Sequence, residues 1–171
     1  TDAELMQSNL GFNATPTSAD FNKIRTTDRT SLDTAVAAWI ADEDSATETY
    51  GDINTWDVSA ITDFSALFNG ATSFNSDISN WNVSSGTDFN NMFTRAAAFN
   101  QDISSWDVSA GTHFGWMFIR AYAFNQDIGG WDVSSGTAFS SMFADADSFN
   151  QDIGSWDVSS GTAFSGMFAD A

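Results

Sequence analysis

His113 is the only histidine in a chain of 171 residues that contains no cysteine. Disulfides, thiolate metal sites and cysteine nucleophiles are therefore excluded. Serine and aspartate are plentiful, but they recur in fixed columns, whereas a catalytic pair is a singular arrangement. No phosphate-cradling glycine loop and no metal-binding helix motif is present. The expectation is a protein that is not an enzyme. Carboxylates offer a second kind of chemistry. Asp57, Asn82, Asp107, Asp132 and Asp157 follow one another at steps of 25 residues. On adjacent strands they would lie about 4.8 Å apart, where like charges repel and a hard cation such as Ca²⁺ would relieve the strain. One column supplies few ligands per ion. Asp107, Asp132 and Asp157 are thus the only residues considered for a metal, and the preferred expectation is no metal and no cofactor, with the carboxylates splayed into screening solvent. The acidic run Asp42-Glu43-Asp44-Ser45-Ala46-Thr47-Glu48 lacks the glycine and ligand order of an EF-hand.

Two further groups of residues offer recognition or modification. Asn13-Ala14-Thr15 and Asn82-Val83-Ser84 are acceptor sequences for N-glycosylation. Asn13 lies in an irregular segment, and Asn82 stands on an outward face in a column otherwise made of aspartate. The other group is a break in pattern. His113, Trp116, Ile119, Arg120 and Tyr122 occupy one unit, and Arg95 stands one unit before Arg120. The residues equivalent to Trp116 are Ala66, Asn91, Ser141 and Gly166, and those equivalent to Ile119 are Asn69, Thr94 and Ala144. A Trp–Ile–Tyr patch beside two arginines is read as a partner-binding spot, because large exposed apolar patches mark interfaces. The plainer reading is drift, with the rings lying flat on the surface.

The elements that must position these residues come from an internal repeat. Trp56, Trp81, Trp106, Trp131 and Trp156 are each 25 residues apart, and so are columns of Ile (Ile53 to Ile153), Val (Val58 to Val158) and three of Phe. The Phe columns begin at Phe64, Phe68 and Phe74, and Asn75, Asn100, Asn125 and Asn150 follow the last of them. Such a period signals units that bury their apolar faces only by stacking on neighbours. Within a unit, Ile103-Ser-Ser-Trp106-Asp-Val108 reads as a short strand with Trp106 and Val108 pointing in. Thr112 to Ala121 carries apolar residues at helical spacing and reads as a turn or two of helix. Phe124-Asn125-Gln126-Asp127 turns the chain back, with the asparagines expected to form a hydrogen-bonded ladder. The expected fold is an α/β solenoid: a right-handed leucine-rich-repeat-like coil with one short parallel strand and one short helix per repeat, and an N-terminal helical cap.

The unit Met-Phe-x-x-Ala-x-x-Phe-Asn-Gln-Asp-Ile-x-x-Trp-Asp-Val-Ser resembles the BspA-like surface-protein repeat, a domain of unknown function found in bacterial, mycoplasma, algal and large-virus proteins. The lead-in from Leu32 to Val36 and on through Tyr50-Gly-Asp-Ile-x-x-Trp56 resembles the usual start of such arrays, so the likeness spans about residues 30–171. It implies a leucine-rich-repeat-like fold and a cell-surface or secreted setting, and it implies no catalytic residues.

Residues 1–51 are read as an N-terminal segment with a capping helix, and residues 52–171 as four full units and a partial fifth. Thr30 is expected to cap the helix, with Asp33 as its capping-box acid. Leu32, Ala35, Val36, Trp39 and Ile40 form the stripe that would cover the first coil. Thr1 at the start and Ala171 in mid-repeat are read as a processed chain or a piece of a longer one. Sixteen Phe and seven Trp exclude a disordered acidic tail despite a net charge of −18. That charge argues against nucleic acid and anionic membrane surfaces as partners, and no apolar run is long enough to span a membrane. The expectation is a non-enzymatic extracellular or cell-surface protein, a recognition or adhesion scaffold for protein or glycan partners. The alternative is a structural subunit, packing with copies of itself laterally or end to end in a filament, wall or other large complex.

Overall fold

The computed structural model describes residues 28–171. Two helices open it, α1 (Arg29–Ala41) and α2 (Glu43–Tyr50), followed by a single 3₁₀ turn at Ile53–Thr55. Asp28, not Thr30, is the N-cap of α1. Its carboxylate accepts the Ser31 N–H at 2.9 Å, which satisfies one of the orphan donors of the first turn. Asp33 is held instead by Arg29, four residues earlier on the same helix, at 2.7 Å. Leu32, Ala35, Val36 and Trp39 are buried, but Ile40 is 43% exposed and leaves the stripe. Asp42 is extended, ends α1 and caps α2 through the Ser45 N–H at 3.2 Å. Gly51 then closes α2 with a left-handed φ of 75°, a conformation that costs glycine little.

From residue 56 onward the expected α/β architecture is overturned. Among the described residues there is no strand, no sheet and no α-helix in any repeat; the coils pair with one another through isolated parallel bridges, Asp63 to Asp88, Asp88 to His113, His113 to Ala138 and Ala138 to Ala163. The segment read as a strand is two tight turns. The Trp106 N–H donates to the Ile103 carbonyl at 3.1 Å and the Gly111 N–H to the Val108 carbonyl at 2.8 Å, so the Trp-Asp-Val backbone does not pair with the next coil. The segment read as a helix is broken by residues at positive φ four positions apart, Trp116 at 56° and Arg120 at 59° in this unit. Left-handed residues cannot continue a right-handed helix. They sit third in turns closed by Met117 N–H to Phe114 carbonyl (3.3 Å) and Ala121 N–H to Phe118 carbonyl (3.0 Å), where type II turns place them.

The coils nonetheless hold each other in register. Between those turns, every second N–H points to the following coil. Phe114, Trp116, Phe118 and Arg120 donate to the carbonyls of Ala138, Ser140, Met142 and Ala144 at 2.8 to 3.0 Å, and the other coils repeat the pattern. All the donors of this strip face forward along the stack and all its acceptors face back. Side chains add further ties. The Trp106 indole N–H donates to the Ile78 carbonyl at 3.2 Å, and Trp81, Trp131 and Trp156 repeat the bond with Ile53, Ile103 and Ile128. The asparagine ladder is present: Asn100, Asn125 and Asn150 each donate a backbone N–H to the Oδ1 of the preceding asparagine at 2.9 Å. Gln126 and Gln151 reinforce it by donating from Nε2 to the same asparagines.

The interior is a set of aromatic columns. Phe64, Phe89, Phe114, Phe139 and Phe164 stack nearly parallel at 5.3 to 5.5 Å between ring centres, and the column starting at Phe68 does so at 5.4 to 5.7 Å. Within a coil, Phe118 lies on Phe124 at 4.0 Å. These separations fall in the range of favourable offset stacking. Gly111 makes this possible, because a Cβ there would stand 2.4 Å from Cζ of Phe114. At the N-terminal end, Trp39 of α1 meets Trp56 edge to face at 5.7 Å. Arg29 reaches from α1 to the first coil, donating to the carbonyl and carboxylate of Asp63 at 2.9 and 3.0 Å and to the Ser65 carbonyl.

Candidate partner-binding surface

Trp116 and Tyr122 project from the coil that also carries Ile119, Arg120 and His113. Trp116 is 43% exposed and Tyr122 45%, while every equivalent residue in the other coils is small or polar. Apart from Ile40 and the last coil, they are the large apolar side chains that the described surface leaves open. Trp116 is held firmly despite its exposure. Its N–H donates to Ser140 at 2.9 Å and its carbonyl accepts the Thr94 hydroxyl at 2.7 Å. Ile119 is half-buried.

Arg120 pairs through Nε with the Asp145 carboxylate at 2.8 Å across to the next coil. The Asp145 hydrogen bond, then its charge, raises the guanidinium pKa above its ordinary value. Both side chains of this pair are substantially exposed, so the pair orients Arg120 more than it stabilises the fold. Arg95 is exposed in the same column one coil earlier and makes no ion pair among the described residues. His113 is exposed, bridges Asp88 and Ala138 through its backbone, and places Nδ1 2.8 Å from the Thr112 hydroxyl. Trp116, Ile119, Arg120 and Tyr122 thus share one coil, with Arg95 stacked beside Arg120, while His113 sits on the bridge column of that coil.

The aspartates considered for Ca²⁺ are engaged elsewhere. Asp107, Asp132 and Asp157 each accept the N–H of the serine two residues on, at 3.1, 3.0 and 2.9 Å. The serine bonds hold all three carboxyls below the usual carboxylate range: side chain first, then backbone, at Asp107 and Asp132, and backbone first at Asp157. Each closes its own Asx turn, and among the described residues no three His, Cys, Asp or Glu gather as a metal would require. Asn82 makes the same turn, accepting from Ser84 N–H at 3.2 Å and Ser84 Oγ at 2.7 Å, and is exposed. Asn13 lies outside the described residues.

Two features escaped the reading of the residues. Asn54, Asn80 and Asn82, with Trp56 and Val58, line a shallow groove of about 390 Å³ on the first two coils, with the Asn80 N–H donating to Asn54 Oδ1 at 2.9 Å. A second groove of about 390 Å³ lies between the α1–α2 junction and the first coil, floored by Trp39 and Phe74 and rimmed by Asp42 and Glu43. The signal for the first was on view: each of the three asparagines departs from its column. No such signal marked the second, because it arises from the angle at which the helices meet the coils.

No curated protein and no solved structure matches the chain. The profile of the family described as Mycoplasma protein of unknown function, DUF285, matches residues 38–137 and 112–171. Those two matches together run unbroken over the aromatic columns and the coils that carry Trp116 and Tyr122, and the chain belongs to that family.

Proposed function

We propose that this chain is a non-enzymatic recognition or adhesion scaffold, of the BspA-like kind, that binds a protein or glycan partner at a cell surface or outside the cell. The observation that carries the reading is the exposure of Trp116 and Tyr122, at 43% and 45%, on a coil whose equivalents present small or polar groups. Aromatic rings bury large areas at interfaces, and tryptophan and tyrosine are among the anchors that dominate binding energy. Arg95 and Arg120 add donors for a carboxylate, sulfate or carbonyl. A net charge of −18 disfavours polyanions as the general class of partner, so selection rests on the local patch. Among the described residues no helix is long and apolar enough to cross a membrane.

Immobilised glycans and surface proteins probed with the chain and with its W116S/Y122A variant test this reading. A partner is expected whose binding weakens at least tenfold in the variant; a partner bound equally well by both forms would remove the patch from the function. A second reading, a structural subunit packing laterally or end to end in a filament, wall or other large complex, draws on the short, nearly identical surface side chains that recur every 25 residues, such as Asp107 and Ser109, then Asp132 and Ser134. The mass of the chain in solution across a concentration series tests it, since a subunit of that kind grows into regular multimers.

A further inference from the structure

Trp116 and Tyr122 stand on their coil as single rings and not as parts of a ridge. Trp116 lies between Asn91 and Ser141 in its column, and Tyr122 between Ala97 and Asp147. Coils joined by backbone hydrogen bonds lie about 4.8 Å apart, so each ring has only short side chains on either side of it along the stack. The charged column of the same coils has a direction. The Arg95 N–H donates to the Ile119 carbonyl and the Arg120 N–H to the Ala144 carbonyl, at 2.8 and 3.0 Å, which stacks Arg95, Arg120 and Asp145 on successive coils. Arg120 engages Asp145 through Nε alone; its two Nη groups and the whole Arg95 guanidinium have no acceptor among the described residues. The hydrogen bond to Asp145, then the charge of Asp145 and then Tyr122 raise the Arg120 pKa, so the phenol is within electrostatic reach of that guanidinium. Asp147 is exposed on the coil that follows. Open cationic donors thus face the preceding coil, carboxylates face the following one, and two rings stand between.

That order of groups describes a ligand with one carboxylate at one end, an apolar face in the middle and hydroxyl donors at the other end. We infer that the patch recognises the end of a glycan chain that carries a single carboxylated sugar. The inference rests on the patch being the binding surface and names what it binds. The sugar carboxylate would take parallel N–H bonds from Arg95 and Arg120, whose planar forks match it. The C–H face of the pyranose would lie on an aromatic ring, whose own face is negative, and the sugar hydroxyls would donate to Asp147. Two other ligand classes fit less well. A polyanion brings further charges toward Asp145 and Asp147, on the very next coil and inside the screening distance of about 8 Å, in a chain of net charge −18. A protein partner covers about 800 Å² on each side in a standard interface. Here the coils on either side of the patch present no exposed large apolar side chain, so the anchors end with two rings and the half-buried Ile119.

The test titrates the whole chain with lactose bearing one terminal acidic sugar, sialic acid in one probe and glucuronic acid in another. Lactose itself, heparin and an aspartate-rich peptide are the comparisons. At least one acidic-sugar probe is expected to bind one to one, and at least tenfold more tightly than any of the three comparisons. Arg95→Asn is expected to remove the preference over lactose; asparagine accepts the left-handed φ of 59° at this position. Trp116→Ser is expected to weaken the acidic-sugar probe at least tenfold, and the thermal unfolding of both variants is checked first. Binding by neither acidic probe overturns the inference. So does lactose, heparin or the peptide bound as tightly as the acidic probes, or an affinity unchanged in R95N or W116S. None of these results removes the patch from the function, which happens only when W116S/Y122A leaves every partner's binding unaltered, so the two readings fail separately.

Discussion

Ser141 takes a φ of 52°, in the column where Asn91 and Gly166 also hold left-handed backbone. A side chain with a Cβ is strained there by about 1–2 kcal/mol, and glycine is not, although glycine loses more chain entropy on folding. The balance favours glycine. Ser141→Gly is expected to raise stability by about 0.5–1 kcal/mol in urea unfolding. Ser140→Gly, at a position with no positive φ, is expected to lower it by a similar amount. Stabilisation by both, or by neither, would show that the turn backbone is not what the dihedrals say. The same strain at Trp116, φ 56°, bears on the patch. An exposed tryptophan in a position that prefers glycine has no packing reason to be there, which is the residue-level support for its use in binding.

At the scale of elements, the turns are the unit of construction, and their aspartates tie stability to pH. Serine bonds depress the carboxyls of Asp102, Asp107, Asp132 and Asp157 below their usual value. A carboxyl lower in the folded than in the unfolded chain contributes stability that is whole above about pH 4 and is lost as pH falls through the depressed folded values. The melting temperature is therefore expected to drop below pH 4, and D107N/D132N to drop less steeply, since asparagine keeps the acceptor without titrating, as Asn82 does at the same place. Parallel curves for the two proteins would assign acid unfolding to other groups. α1 offers a second prediction. Arg29 spans its first turn and the carbonyl edge of the first coil; Arg29→Met is expected to cost about 2 kcal/mol and to speed amide exchange in α1. Arg29→Lys recovers little, because one ammonium lacks the fork that reaches several acceptors. These elements also mark how far the residues alone could be read. The period, the buried columns, the asparagine ladder and a helix ahead of the coils were legible, because burial leaves a residue-type signature every 25 positions. Strand and helix were misassigned, because apolar spacing reports which side chains turn inward and not where each N–H is directed. The glycines and asparagines at 70, 91 and 166 pointed to left-handed turns, but alanine, tryptophan, serine, arginine and aspartate in the same columns masked them. Of the surface, Trp116 and Tyr122 were legible as departures from pattern, while the edge polarity of the coils was not, since it depends on backbone direction alone.

At the scale of the whole molecule, the coils form a stack with a direction. Its forward-facing N–H groups align their peptide dipoles along the axis, as in a helix. The column Gly70, Arg95, Arg120, Asp145, Asp170 matches that sense, with bases toward the carbonyl end and acids toward the amide end. Energetics should follow position in the stack rather than residue type. Phe118 is fully buried between Phe93 and Phe143, at 5.5 and 5.7 Å, and lies on Phe124. Phe168, in the same column, stacks on Phe143 alone and is half-exposed. Phe118→Ala is expected to cost about 3–5 kcal/mol, the range for a large cavity in a packed core. Phe168→Ala is expected to cost about 1 kcal/mol, since only half of its area leaves water. Because each coil contacts only its neighbours, the central cavity should also uncouple the two halves, broadening the unfolding transition and lowering its denaturant slope, whereas the terminal change should shift the midpoint and leave the slope alone. Equal costs at the two positions would mean that the aromatic columns do not carry cooperativity along the stack, and that the coils stand or fall on their local turns.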